Sequence, residues 1–188
     1  MSKSSKESSL TDVEVINKVV SGQSREAFAI LYHRYHQKVM DKCMTLLKNR
    51  TQAEELTEDI LTKAYEKLPG FKQQASFSTW LYSITYNHCI DFLRAKKKLH
   101  YPHWNSEQEL EDIPDTEEIV EQVSYDNLLP LLEEIHPEEK ALLLMKYTDN
   151  LSMKQIAQSL RITDTAAKMR LKRARTRLLY LYKKKYLD

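Results

Sequence analysis

Turn-forming residues are scarce in this chain: two Gly and five Pro in 188 residues. An all-β fold needs a turn roughly every ten residues, so sandwiches and barrels are excluded, and collagen-like or low-complexity classes fail on the same count. Long apolar runs are missing too. None approaches the roughly 18 residues of a membrane span, so no direct membrane insertion is expected. The opening MSKSSKESSL has no apolar signal core, and residues 1–10 are expected to form a disordered tail. Two cysteines, Cys43 and Cys89, make no disulfide framework, and a reducing cytoplasm is the expected location. A soluble, all-α chain is what remains.

Charge is abundant, and it is segregated. The net charge of +2 conceals a stretch from Leu99 to Glu139 with 13 acidic residues and no Lys or Arg. From Lys140 to Lys185 the balance reverses, with 13 basic residues against Asp149 and Asp164. A further basic run, Arg94-Ala95-Lys96-Lys97-Lys98, precedes the acidic stretch. Two basic surfaces with an acidic spacer between them suit a polyanion contacted at two places.

Helix signals recur along the chain. Thr11-Asp12-Val13-Glu14, Thr51-Gln52-Ala53-Glu54 and Ser152-Met153-Lys154-Gln155 each read as a capping box, a hydroxyl and an acid or amide that exchange hydrogen bonds with the first turn's amides. Ser24 is placed to cap a long helix running to Leu47, and Pro69-Gly70 to end the one opened at Thr51. A further helix is expected from Ser78 to Lys98. Later helices should begin near Ile119, at Pro137, where proline is favoured as a first residue, at Ser152 and at Thr163. Residues 99–118 carry Pro102 and Pro114 without periodicity and read as a linker. The expected architecture is two small helical domains, residues 11–98 and 119–188, joined by an acidic linker over 99–118.

The strongest motif lies between residues 152 and 178. A short helix offers Ile156, Ala157 and Leu160 to a core, a turn follows at Arg161-Ile162, and a long helix starts at Thr163. This is the plan of a helix-turn-helix. Leu171, Ala174, Leu178 and Leu181 share one arc of the long helix, while Thr165, Met169, Lys172, Arg173 and Thr176 point away from it. Lys, Arg and Thr on an exposed arc suit phosphates and guanine edges in the major groove.

Upstream, the helix after Ser78 carries two apolar arcs, Trp80, Leu81, Ile84 and Phe92 on one and Tyr82, Tyr86, Cys89 and Leu93 on the other. Between them runs a polar stripe of Ser83, Asn87, Arg94 and Lys98. Aromatics beside an amide and a basic end can hold unstacked bases on a charged track; two packed faces with a solvated stripe would read the same way. The helix before it clusters Glu54, Glu55, Glu58 and Asp59, which either favours the helix dipole or offers a docking surface.

Taken together, these segments resemble the bacterial sigma factors of RNA polymerase, specifically the compact extracytoplasmic-function (ECF) group of the sigma-70 family. REAFAILYHRYHQKV is similar to the first part of sigma region 2, AEELTEDILTKAYEKLPGF to its polymerase-binding helix, and FSTWLYSITYNHCIDFLRAKKK to its promoter-melting and −10-reading segment. Pro137 to Leu178 is similar to region 4, which reads the −35 element. The resemblance implies that Glu55, Glu58 and Asp59 meet the clamp coiled coil of the largest subunit of core RNA polymerase. It implies that Asn87, with the loop Ala75 to Thr79, reads −10 bases and that Lys146, Lys168, Met169, Lys172 and Arg173 meet −35 DNA. With the polar stripe and basic run added, the expected −10 set is Ser76, Phe77, Ser78, Thr79, Ser83, Asn87, Arg94, Lys97 and Lys98. With the head and outward arc of the long helix added, the expected −35 set is Lys146, Thr163, Thr165, Lys168, Met169, Lys172 and Arg173. Promoter DNA, core polymerase and an anti-sigma factor are the implied partners. The chain departs from the family's common pattern at Glu58, usually Gln, at Arg161, usually Gly, and at Thr165-Ala166-Ala167, usually small-Thr-Val.

No catalysis, cofactor or small-molecule substrate is expected. His33, His36, Cys43, His88, Cys89, His100 and His103 lack the paired spacing of a zinc site, and neither a glycine-rich phosphate loop nor a Ser-His-Asp arrangement occurs. The rival reading is a helix-turn-helix transcriptional regulator whose N-terminal helices sense a ligand or dimerise.

Overall fold

A computed structural model describes residues 10–24, 26–97 and 125–187. Among them the chain forms helices α1 (Asp12–Val20), α2 (Phe28–Leu47), α3 (Arg50–Lys67), α4 (Phe77–Lys97), α5 (Tyr125–Leu131), α6 (Pro137–Leu143), α7 (Met153–Leu160) and α8 (Asp164–Tyr186), and no strand. The linker over 99–118, Lys98, the helix start near Ile119 and residues 1–9 of the expected tail lie outside the described residues. The chain divides into two compact units, 1–89 and 90–188, with the division falling inside α4.

Local chemistry starts most of these helices. Thr11 closes a capping box with Glu14, its hydroxyl taking the Glu14 N–H at 3.3 Å while the Glu14 carboxylate takes the Thr11 N–H at 2.7 Å. Ser152 and Gln155 do the same for α7, and Thr163 accepts the Ala166 N–H at the head of α8. Each such cap stabilises its helix by about 1 kcal/mol. Two caps differ from the expectation. α3 opens on Asn49, whose side chain accepts from the Gln52 N–H at 3.0 Å; Thr51 is already inside the helix, and Glu54 pairs with Arg50 instead of reaching back. Ser24 accepts the Ala27 N–H, so it caps the turn before α2 rather than α2 itself.

In the first unit, α2 and α3 form an antiparallel hairpin. Lys48, in a left-handed conformation, turns the chain within two residues. Leu31, Tyr35, Val39, Cys43 and Leu46 recur along one face of α2 and pack against Ala53, Leu56, Ile60, Leu61 and Ala64 of α3. Burying each large aliphatic side chain contributes roughly 1.5–3 kcal/mol. α1 is tied to α2 by an Arg34–Asp12 ion pair at 2.8 Å and by the Tyr35 hydroxyl, which donates to Asp12. Burial, then that hydrogen bond, pushes the Tyr35 phenol well above its usual range.

In the second unit α6 is buried along its length, including Glu138, Glu139 and Lys140. A buried charge is tolerable only when paired. Glu138 accepts from Arg94 at 2.6 Å and Arg170 at 3.3 Å, Arg177 lies 3.8 Å from Glu139, and Lys140 reaches Glu133 at 2.8 Å. The α6 cap is a histidine: Nδ1 of His136 accepts the Glu138 N–H, and Glu139 accepts the His136 N–H. After α6 the chain makes a π-helical turn over Leu144–Thr148.

Candidate functional site

α7, a short turn and α8 build the helix-turn-helix. Arg161 ends α7 in a left-handed conformation (φ 54°, ψ 44°), and the Ile162 N–H returns to the Ala157 carbonyl at 3.0 Å. That closing geometry is the one glycine usually serves. Ile156, Ala157 and Leu160 of α7 are buried, as are Ala167, Leu171 and Ala174 of α8. Beyond Ala174 the buried face of α8 passes to Leu179 and Tyr182, which cluster with Leu131 of α5 while Leu178 and Leu181 pack only in part. Straight heptad spacing had marked Leu178 and Leu181; an α-helix drifts against that repeat, and the seam shifts by one residue.

The opposite face of α8 presents Thr165, Lys168, Met169 and Lys172 to solvent, with Met169 46% exposed. Arg173 does not join them fully. It is half-buried, and its Nε has no hydrogen-bond partner among the described residues. Thr163 is exposed, but its oxygen is engaged in the cap. Lys146 lies half-buried on the π-helical turn.

The head of α4 gathers three hydroxyls. Ser76 Oγ lies 2.9 Å from both the Ser78 and the Thr79 oxygens and accepts the Thr79 N–H at 3.2 Å. Phe77, of the expected −10 set, is 4% exposed, and its ring packs on Tyr35, Phe71 and Trp80. The packed ring anchors the head of α4. One turn on, Ser83 donates to the Thr79 carbonyl at 2.9 Å. Asn87 is half-buried on the same side as Ser83. Both apolar arcs of α4 are packed, with Leu81, Ile84, Tyr86, Cys89 and Leu93 buried and Lys42 standing over the Tyr82 ring at 4.1 Å. Arg94 is committed to Asp91 and Glu138, so it meets a phosphate only by exchanging a carboxylate for it. Lys97 is the last residue of α4.

On α3, Glu55, Glu58 and Asp59 are all exposed. Glu58 accepts from the Tyr32 hydroxyl at 2.8 Å and lies 3.1 Å from His36 Nε2, and the Tyr32 phenol is raised by that bond. Beside it, α2 and α3 enclose a shallow groove of about 410 Å³ lined by Phe28, Ala29, Tyr32, Leu61 and Tyr65. Sequence reasoning missed this groove. Its one visible trace was Tyr65, an aromatic on the side of α3 away from its core, 37% exposed and packed edge-on against Phe28. No group of three or more His, Cys, Asp or Glu among the described residues is arranged to hold a metal ion.

Residues 31–99 match the family model for Sigma-70 region 2, and residues 125–178 match that for Sigma-70, region 4. The ECF RNA polymerase sigma factor SigW of Bacillus subtilis is 27% identical over 178 residues, covering 86% of this chain and 91% of SigW. The ECF RNA polymerase sigma factor SigM of Mycobacterium tuberculosis is 26% identical over 172 residues, covering 91% and 84%. Among solved structures, CnrH in complex with the cytosolic domain of CnrY is similar in fold, with a TM-score of 0.60 at 19% identity over 93% of this chain and 98% of that one. The sigma factor RpoE, in complex with the anti-sigma factor NepR from Bartonella quintana, gives a TM-score of 0.57 at 17% identity, covering 84% and 98%.

Proposed function

This chain belongs to the sigma-70 family, in its ECF group, and directs transcription by RNA polymerase; from that premise we propose how its residues divide the work. The exposed carboxylates Glu55, Glu58 and Asp59, with the groove between α2 and α3, dock the clamp coiled coil of core polymerase. The head of α4, with Ser76, Ser78, Thr79 and Asn87, takes the −10 element. An amide donates and accepts at once, so Asn87 can read the edge of a base that has left the stack. Lys97 and Lys98 hold neighbouring phosphates, contacts that position a strand without specifying its sequence. On α8, Lys168, Met169 and Lys172, with Thr165, enter the major groove at the −35 element.

The chain supplies no chemistry of its own in this reading and acts in the cytoplasm on reactions that the polymerase performs. Sigma factors as a class are initiation factors rather than enzymes. CnrH and RpoE are each held by a partner, CnrY and the anti-sigma factor NepR, and we extend an anti-sigma partner to this chain. The reading rests on one observation: the two regions occur in order on one chain, and the second carries its Lys and Met side chains outward on α8.

Run-off transcription with purified core polymerase tests it. Promoter-dependent transcripts should appear only when the full chain is added. Sequence-specific DNA binding with no effect on initiation would instead favour the regulator reading.

A further inference from the structure

Cys43 on α2 and Cys89 on α4 stand 46 positions apart in the chain yet meet in the core of the first unit, their sulfurs 3.7 Å apart. Both are 0% exposed. Nothing in the polymerase or promoter surfaces uses them. A disulfide requires sulfurs at about 2.05 Å, so the pair, now in contact, bonds when the sulfurs close by about 1.7 Å. The Cys89 S–H points at Cys43. That hydrogen bond draws the Cys43 thiol below its usual value, against burial and with help from Thr57, whereas donating it, together with burial, pushes Cys89 well up. The hydrogen bond therefore makes Cys43 the more acidic of the two sulfurs and the first to react, with Cys89 as the resolving partner.

We propose that Cys43 and Cys89 form a redox modification site, converted by hydrogen peroxide to a disulfide that cross-links α2 to α4 and lowers promoter opening. The Cys43 thiolate attacks one peroxide oxygen, the O–O bond breaks, and the departing hydroxide takes up the proton Cys43 had released, giving sulfenic acid and water. Cys89 then attacks the sulfenic sulfur, the S–O bond breaks, and the hydroxyl leaves with the Cys89 proton as a second water. Two thiols are oxidised, one peroxide is reduced, and no further electron carrier is needed. Burial selects the oxidant, because a molecule near the size of water can reach the pair through local opening of the helices where a bulky disulfide cannot. Cytosolic disulfides, where they occur, are usually transient and redox-sensing. The last clause of the proposal rests on the reading of α4 as the −10 helix: Asn87 is two residues before Cys89, so drawing Cys89 toward α2 displaces the base-reading amide.

The test treats the reduced full-length chain with hydrogen peroxide, removes the excess, and measures intact mass and a non-reducing peptide map. A loss of two hydrogens, a peptide joining Cys43 to Cys89, and reversal by dithiothreitol are expected. Cys43→Ala and Cys89→Ala, each checked for helicity, should both abolish the cross-link. Unchanged mass, oxygen addition without a cross-link, or chains linked to one another would overturn it. In holoenzyme, the cross-linked chain should give several-fold less permanganate-reactive open promoter than the reduced chain, and Cys89→Ala should be indifferent to peroxide. Equal opening by cross-linked and reduced chains overturns the regulatory effect. If reduced chain and variants alike open no promoter, the assignment of α4 has failed, and the mass result still decides the thiol chemistry.

Discussion

The Tyr32 hydroxyl donates to the Glu58 carboxylate at 2.8 Å, joining α2 to α3 on the face that carries Glu55 and Asp59. Glu58 is thereby held in place before any partner arrives, with His36 on its other side at 3.1 Å. The common family residue, glutamine, would still accept from Tyr32 through its amide oxygen. What the carboxylate adds is charge, toward His36 and toward a docked protein.

Charge reversal at Glu55 and Asp59 to Lys should therefore weaken association with core polymerase and leave the fold intact. α3 begins at Arg50, so both positions lie beyond its first turn, where the helix dipole has faded. Glu58→Gln should alter stability by less than about 1 kcal/mol, as is usual for an exposed pair. Fluorescence titration of labelled chain with core polymerase, alongside circular dichroism, measures both. Undiminished affinity in a folded Glu55→Lys, Asp59→Lys variant would remove this face from the docking surface.

Asn87→Ala should reduce opening at cognate −10 elements and relax the preference at one base while polymerase binding persists. Lys97→Ala should weaken opening evenly across promoter variants, because a phosphate contact carries no sequence. Permanganate footprinting of holoenzymes over single-base −10 changes distinguishes them. If Asn87→Ala opens every variant as the parent does, the Ser83–Asn87 stripe is only a solvated face.

On α8, two substitutions should separate affinity from stability. Lys172→Ala removes an exposed cation, so it should lower −35 affinity, by about 1–3 kcal/mol if it makes a good base contact, and shallow the salt dependence. Thr163→Ala removes a cap and should cost about 0.5–2 kcal/mol of stability. Binding isotherms at several salt concentrations and thermal melts provide the two readings. A Lys172→Ala chain with unchanged −35 selectivity would contradict the assignment of this helix face.

Stability should fall on mild acidification through His136. Burial lowers its pKa from the ordinary value of 6.5, and Arg177 and Arg94 add to the shift while Glu138 opposes it. A depressed folded-state pKa means that the unfolded chain binds the proton first. The contribution is therefore complete above about pH 6.5 and is lost as pH falls through the lower folded value. Protonation also removes the Nδ1 lone pair that accepts the Glu138 N–H. His136→Asn keeps an acceptor at the cap and does not titrate, so its melting temperature should vary less between pH 7 and 5 than that of the parent chain.

Arg161→Gly should stabilise the turn. A left-handed backbone costs a residue with a side chain roughly 1–2 kcal/mol, part of which glycine returns as the greater freedom it loses on folding. A net gain below about 1 kcal/mol is expected in urea melts, with −35 preference unchanged. A loss of stability would mean that the Arg161 side chain compensates for its backbone.

Some features were legible because their physics is local. Thr11, Ser152 and Thr163 reach an amide three residues ahead whatever the rest of the chain does, and Pro137 stands where the helix needs no N–H. Helical angle alone put Thr165, Met169, Lys172, Arg173 and Thr176 outward, and the first three are exposed while Arg173 and Thr176 are half-buried. Lys168, also exposed, came from the family resemblance and not from the wheel. His136 was missed as a cap because imidazole is not among the usual capping groups, and Asn49 because the hydroxyl of Thr51, two residues on, offered a competing start. Other features depend on partners that no local pattern can name. Phe77 is turned inward because Tyr35, Phe71 and Trp80 converge on its ring, and Arg173 is drawn in by the packing of α8. Arg94 lay on a polar stripe of the wheel, but the buried carboxylate of Glu138 claims it. Cys43 and Cys89, read singly, argued only against a disulfide framework. The packing of α2 and α4 brings them within 3.7 Å, and sulfur chemistry turns on that separation, which only tertiary structure decides.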